Sequence, residues 1–312
     1  MADIVCIGQT VIDVLADRVD DRSLQRGMFR TCKDISHEIG GDAANEARVL
    51  KRLGVDVSLV HARGDDNAGL LIKALLERDG VDLSKSIVVP GKKSGSVIIT
   101  LSESGERDFI LSQSIVSMSR IRVTPEMIQG AKIVSLASLF FDPLRDPEDV
   151  LLAAKTAKEA GALLSVDVNT SVDIKIADYA EAFSYIDFFL PNDEEAMDYS
   201  GKDTVPGAAD FFLSMGVKNV IIKTGKEGCY AKNAGGELRA PAFYVENVVD
   251  TTGAGDNFAA GFLSSVLRGA SLRESLVFAC AAASIAIQSV GASTGVKSWR
   301  QVMDVIEKHD RA

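Results

Sequence analysis

The chain has 312 residues, of which 46% are hydrophobic and 25% charged, enough for one substantial core with an appendage and unlike a disordered or fibrous protein. Its formal charge of -10 argues against a general nucleic-acid or anionic-membrane surface, because both require basic patches. The start has neither the basic leader nor the length of a signal peptide, no apolar run is long enough to span a membrane, and Cys6, Cys32, Cys229 and Cys280 are too scattered for a zinc or dithiol motif, so a cytoplasmic protein is expected.

Ile4 to Ile7 reads as a first strand, and the stretch from Gln9 to His37 departs from the pattern that follows it. Gly40-Gly41-Asp42-Ala43-Ala44-Asn45 then opens a helix over Ala43 to Leu53, closed by Gly54. The two glycines let a ligand approach the backbone, and the Asn45 amide, which donates and accepts, suits a polyhydroxyl compound; a plain glycine turn before a capped helix is the alternative. Val57 to His61 reads as a strand and Gly69 to Arg78 as a helix. Ser94 to Leu101 and Arg107 to Leu111 flank the polar turn Ser102-Glu103-Ser104-Gly105-Glu106 and predict a β-hairpin. With the Gln9 to His37 stretch it would form a small β lid, its segments spanning about 9–37 and 92–115. Next come strands at Ile133 to Leu136, Leu163 to Val166, Phe188 to Leu190 and Val220 to Ile222, with helices over Pro147 to Ala160 and Ala208 to Met215. Strands alternating with helices imply a parallel sheet covered on both faces, within a single domain over 1–312, and ligands of such sheets sit beyond the C-terminal ends of the strands.

Three late segments carry candidate chemistry. Pro191-Asn192-Asp193-Glu194-Glu195 follows a predicted strand and supplies oxygen ligands of the kind magnesium favours; it also reads as a helix cap with a charged first turn. Lys223-Thr224-Gly225-Lys226-Glu227-Gly228 reads as a nucleotide turn or a surface hairpin turn. Asp250-Thr251-Thr252-Gly253-Ala254-Gly255-Asp256 runs into a small-residue apolar helix, which sets free amides and a positive helix end beside a carboxylate. There Asp256 can accept a proton from a hydroxyl while the Gly253, Ala254, Gly255 and Asp256 backbone cradles a phosphate, although aspartate is also a common helix cap. Neither a Walker-type phosphate loop nor a Gly-x-Gly-x-x-Gly fingerprint is present, and His37, His61 and His309 lack metal-ligand spacing.

Together these motifs resemble the ribokinase-like, or PfkB, family of carbohydrate and nucleoside kinases. Asp250-Thr-Thr-Gly-Ala-Gly-Asp256-Asn-Phe-Ala-Ala-Gly261 carries the resemblance most strongly, supported by Gly40-Gly41 through Asn45 to Leu53-Gly54 and by Gly64-Asp65-Asp66-Asn67-Ala68-Gly69. The resemblance implies an α/β/α sandwich with a mostly parallel sheet and a β lid, and the use of ATP and magnesium to phosphorylate a hydroxyl, commonly a primary one. By motif position Asp256 would be the base, and Asp13, Gly41 and Asn45 would bind substrate. Asn192 and Glu195 would organise magnesium and phosphates, Thr224, Gly225 and Gly228 would hold the nucleotide, and Ala279 to Gly291 would border the adenine. Asp250 and Thr252 fall where some members bind a monovalent cation, potassium being the candidate. Members commonly pair across their lids, which implies a homodimer.

Within the family, Gly-Gly-Asp-Ala-Ala-Asn-Glu-Ala, Ser135 to Phe140 and Thr294 to Lys297 look like a poorly characterised bacterial group of sugar kinases. Asp42 stands where ribokinases carry lysine. A second acid at the sugar site favours hydroxyl contacts over a phosphorylated or strongly anionic substrate, unless Arg107 or Lys93 compensates. The expected function is therefore ATP-dependent phosphorylation of a free sugar or derivative. The alternatives are a nucleoside kinase, which the 6% aromatic content disfavours, and a noncatalytic sugar or nucleotide sensor, which the intact Gly253 to Asp256 element disfavours.

Overall fold

A computed structural model describes residues 1–20, 31–102, 107–112 and 120–309. Strand β1 (Ile4–Gly8) sends Ile4 and Cys6 into one apolar core and Val5 and Ile7 into another, the alternation required of a strand buried on both faces. It is flanked by β4 (Val57–Val60) and β9 (Ile133–Leu139), and beyond β9 come β10 (Leu163–Val168), β11 (Phe188–Phe189) and β12 (Asn219–Lys223), all parallel. Two antiparallel strands, β13 (Cys229–Asn233) and β14 (Gly236–Ala240), complete an eight-stranded sheet.

One face is covered by α1 (Asp42–Arg52), α2 (Asn67–Arg78), α7 (Ala254–Leu267), α8 (Leu272–Ala286) and α9 (Trp299–His309). The other is covered by α3 (Pro147–Glu159), α4 (Ala180–Phe183), α5 (Asp193–Ser200) and α6 (Val205–Ser214). This is the three-layer α/β/α sandwich with a mostly parallel sheet that the sequence implied.

A separate sheet holds β2 (Val11–Val19), β3 (Asp34–Gly40), β7 (Ser96–Ser102) and β8 (Arg107–Leu111) in the order β3-β2-β7-β8. The expected hairpin is present as the antiparallel β7–β8 pair. Its connection, 103–106, lies outside the described residues, as do 21–30 and 113–115 of the expected lid segments. The Val57 to His61 run stops one residue short of the expected strand, because the chain turns at His61 into β5 (Ala62–Gly64), which pairs with β6 (Ile87–Val89) in a sheet of its own. Among the described residues no helix is long and apolar enough to cross a membrane.

The chain leaves β1 for β4 on one side and later returns to β9 on the other, so the sheet order reverses at β1. The crevice outside a reversal of this kind is where open α/β sheets receive ligands. The C-terminal ends of β9, β10 and β12 open onto it. Helix α7 is locked beside it through Gly261, where a Cβ would stand only 2.9 Å from the Ala282 methyl of α8, and through Asn257, whose Nδ2 donates to the Gly253 and Ala292 carbonyls at 2.7 Å each.

Candidate active site

The start of α7 explains itself chemically. Gly253 sits at φ 74°, and a Cβ there would lie 2.1 Å from the Ala292 carbonyl oxygen, so glycine alone fits. The first amides of a helix have no partner within it. Ala254 N donates to Thr251 O at 3.2 Å, which leaves the amides of Gly255 and Asp256 available to an anion. Asp250 shapes the approach, its Oδ1 accepting from Thr252 N and its Oδ2 from Gly291 N, both at 2.9 Å.

Asp256 lies in the first turn of α7, and its Oδ2 accepts a 2.8 Å hydrogen bond from Asn45 Nδ2 on α1. Burial, then the charges of Asp42 and Asp167, push its carboxyl well above the usual range, against the Asn45 bond and the charge of Lys223. Asp42, at the head of α1, accepts from Asn169 Nδ2 at 3.1 Å, and burial with the Asp167 charge raises it to about 6. Lys223 ends β12 and donates to both oxygens of Asp167, at the end of β10, at 2.8 Å each. A Cβ on Gly255 would be 3.2 Å from Lys223 Nζ, so this ammonium stands against the first turn of α7. Burial works against its charge, but Asp167 and Glu195 overcome that and hold it above the ordinary lysine range. A proton acceptor, free amides and a buried cation thus meet at one point, which is the equipment for moving a phosphoryl group.

Asp13 reaches the crevice from β2. Its carboxylate lies over Gly40, where a Cβ would come within 2.2 Å of Oδ2, and Gly41 at φ 92° packs against the Gln9 carbonyl before α1 begins. Burial, with the charge of Glu38, raises Asp13 to about 6. Asn192 and Glu195 form a reciprocal capping box: Asn192 Oδ1 accepts from Glu195 N at 2.8 Å and Glu195 Oε2 accepts from Asn192 N at 2.9 Å. The cap reading of that segment therefore holds, while burial still lifts Glu195 to about 7. Gly225 and Gly228 line a cavity of about 570 Å³ together with Phe243, Tyr244, Val248, Thr251, Ala254, Gly255, Cys280, Ala283, Ser284 and Ile287. Thr224 is not part of that lining; its amide donates to the Gly228 carbonyl at 2.8 Å, closing the β12–β13 turn. Arg107 belongs to β8, and its side chain lies outside the described residues.

Asp167, Asn169 and Glu46 had no role in the sequence reading, and Lys223 entered it only as the first residue of a turn. A usable signal existed for two of them: Asp167 and Asn169 follow the Leu163 to Val166 run, where an α/β sheet presents its functional residues. Lys223 and Glu46 gave none, because contacts between elements far apart in the chain are invisible to spacing.

A sequence profile described as pfkB family carbohydrate kinase matches residues 1–299. The chain is 30% identical to the ribokinase of Schizosaccharomyces pombe over 84% of its own length and 85% of that protein. It is 30% identical to fructokinase-1 of Zea mays over 86% of its length and 88% of that protein. The solved structure of Arabidopsis thaliana ribokinase with ribose and ATP superposes with a TM-score of 0.84 at 26% identity, covering 98% of this chain and 99% of that one.

Glu46 lies buried behind the site, accepting from Cys6 Sγ at 3.2 Å and Ser135 Oγ at 3.1 Å, and burial raises its carboxyl from 4.5 to about 7. The folded state therefore keeps a proton that the unfolded chain releases, so Glu46 lowers stability progressively as pH rises from about 4.5 to 7. In urea unfolding, Glu46→Gln is expected to lose less stability than the wild type between acid and alkaline pH, by up to about 3 kcal/mol. Equal pH dependence in the two proteins would contradict this.

Proposed function

The chain belongs to the pfkB family of carbohydrate kinases, and on that premise we propose that it transfers the γ-phosphoryl group of ATP to a hydroxyl, a primary one, of a free sugar or sugar derivative. The observation that carries the reading is Asp256, held by Asn45 beside open helix amides and a buried lysine. In this reading Asp256 takes the proton of the attacking hydroxyl while the Gly253 to Asp256 backbone and Lys223 meet the developing phosphate charge. The solved Arabidopsis relative carries ribose and ATP, which supports a sugar and ATP as the two substrates here.

The roughly 570 Å³ cavity beside Gly225, Gly228 and Ala283 has apolar and aromatic walls suited to adenosine. Asp13, Gly41, Asp42 and Asn45 would hold the sugar. A magnesium ion would supply charge neutralisation at the phosphates, and Glu195 with Asn192 fits its oxygen chemistry through water, since their capping box occupies Asn192 Oδ1 and Glu195 Oε2 directly. Among the described residues no group of three or more His, Cys, Asp or Glu side chains is arranged to hold a metal alone. Asp250 and Thr252 would set the loop for a potassium ion. We read the small sheet as a lid whose closure excludes water, within one domain over 1–312. Its edge strand β8 exposes Phe109, Ile110 and Leu111, each more than half accessible, and this apolar edge supports a homodimer formed through the lid.

The test is ADP release with magnesium across free sugars, sugar phosphates and nucleosides, in potassium and in sodium. Sugar-dependent release is expected, reduced about 100- to 10,000-fold in Asp256→Asn with ATP binding retained. Because the Asp256 carboxyl is raised and must be ionised to act, kcat/KM should climb with pH to a plateau. Turnover unaffected by the substitution would remove Asp256 from the reaction. Sedimentation velocity should show a dimer that Ile110→Asp dissociates; a wild-type monomer at micromolar concentration would contradict the lid interface.

A further inference from the structure

The small sheet sets two acids against each other. Asp13 of β2 and Glu38 of β3 are register partners, so their side chains share one face and rise side by side. Like charges opposite one another weaken a sheet, and among the described residues neither carboxylate has a hydrogen bond or an ion pair; the charge of Arg52 reaches Glu38 only from a distance. The other face of these strands packs through Ile12 and Ile39 into the core with Ile72 and Leu76 of α2, so the acidic face turns the opposite way, over Gly40 and the head of α1.

The surroundings sharpen the effect. In the same row across the sheet stand Val97 of β7 and Leu111 of β8, which add no charge. The charge that acts on Asp13 is that of Glu38. Arg52, whose guanidinium feels Glu38, is held by Asp79 at 3.8 Å and by the Ser293 and Val296 carbonyls. At the base of the crevice, Asn45 is 4% exposed, and while its Nδ2 is committed to Asp256, its Oδ1 has no partner. Asp42 adds a third acid at the start of α1. The sugar side of the crevice thus offers acceptors and negative charge, and the buried cation Lys223 is engaged by Asp167.

We propose that the substrate is an amine-bearing sugar whose ammonium group sits between Asp13 and Glu38. This rests on the sugar-kinase reading and goes beyond it by naming the substrate class. A hydroxyl would satisfy one carboxylate; an ammonium, with three donors and a full charge, satisfies both. The same pair repels sugar acids and sugar phosphates.

The experiment measures both calorimetric binding and ADP release for 2-amino-2-deoxyglucose and 1-amino-1-deoxyfructose against glucose, fructose, gluconate and glucose 6-phosphate, in the full chain and in Glu38→Gln. The expected result is at least about tenfold tighter binding and lower KM for an amino sugar than for its neutral counterpart, with the preference collapsing in Glu38→Gln. A conserved melting temperature in the variant separates this from misfolding. Equal affinity for neutral and amino sugars, an unchanged ratio in Glu38→Gln, tighter binding of an acidic sugar, or no binding of either amino sugar would each overturn the proposal. Because binding is read independently of turnover, amino-sugar binding without ADP release would defeat the kinase reading while leaving the acidic pair's role standing.

Discussion

The site depends on one buried positive charge. Lys223 stands among Asp167, Glu195 and Asp256, with Asp42 beside them, and it is the ammonium on which their electrostatics converge. Two unit charges about 4 Å apart are worth about 4 kcal/mol at an effective dielectric near 20, so each carboxylate pair around this point would be costly without it. Removing one member of a buried pair typically costs 3–5 kcal/mol, roughly the same scale. Lys223 therefore favours ionisation of the carboxylates around it, and it stands against the first turn of α7.

That constraint connects the fold to the chemistry. The ends of parallel strands bring Asp167 and Lys223 together across the sheet, and Gly253, wedged against Ala292, brings the first amides of α7 to the same point. Asn45 then ties α1 to α7 through Asp256. The sugar side is different in kind: Asp13 and Glu38 arrive on the small sheet, attached to the head of α1 by the Gly40-Gly41 turn. In the proposed reading the sugar is held from both the small sheet and α1, and Asn45 of α1 also holds Asp256.

Local pattern made much of this legible. Short apolar or β-branched runs located β1, β9, β10 and β12, and the Gly-Ala-Gly-Asp signature announced the start of α7, because both are properties of neighbouring residues. The Asn192 to Glu195 segment also read as a helix cap in sequence, which the structure completes as a capping box. Illegible were contacts made by strand order: Lys223 with Asp167 are 56 residues apart, and Asn45 with Asp256 are 211 apart. The Asp13–Glu38 pairing depends on the register of two strands, which neighbouring residues do not reveal. The break after Val60 was hidden for the same reason, since β5 pairs with β6 rather than continuing the run.

The most direct measurement is a rapid-quench single turnover of ATP and a saturating sugar in Lys223→Met, with circular dichroism and melting temperature confirming the fold. If Lys223 organises the site, the transfer step slows about 100-fold or more while sugar affinity at the small sheet is retained. A folded Lys223→Met protein that transfers phosphate at the wild-type rate would contradict the account.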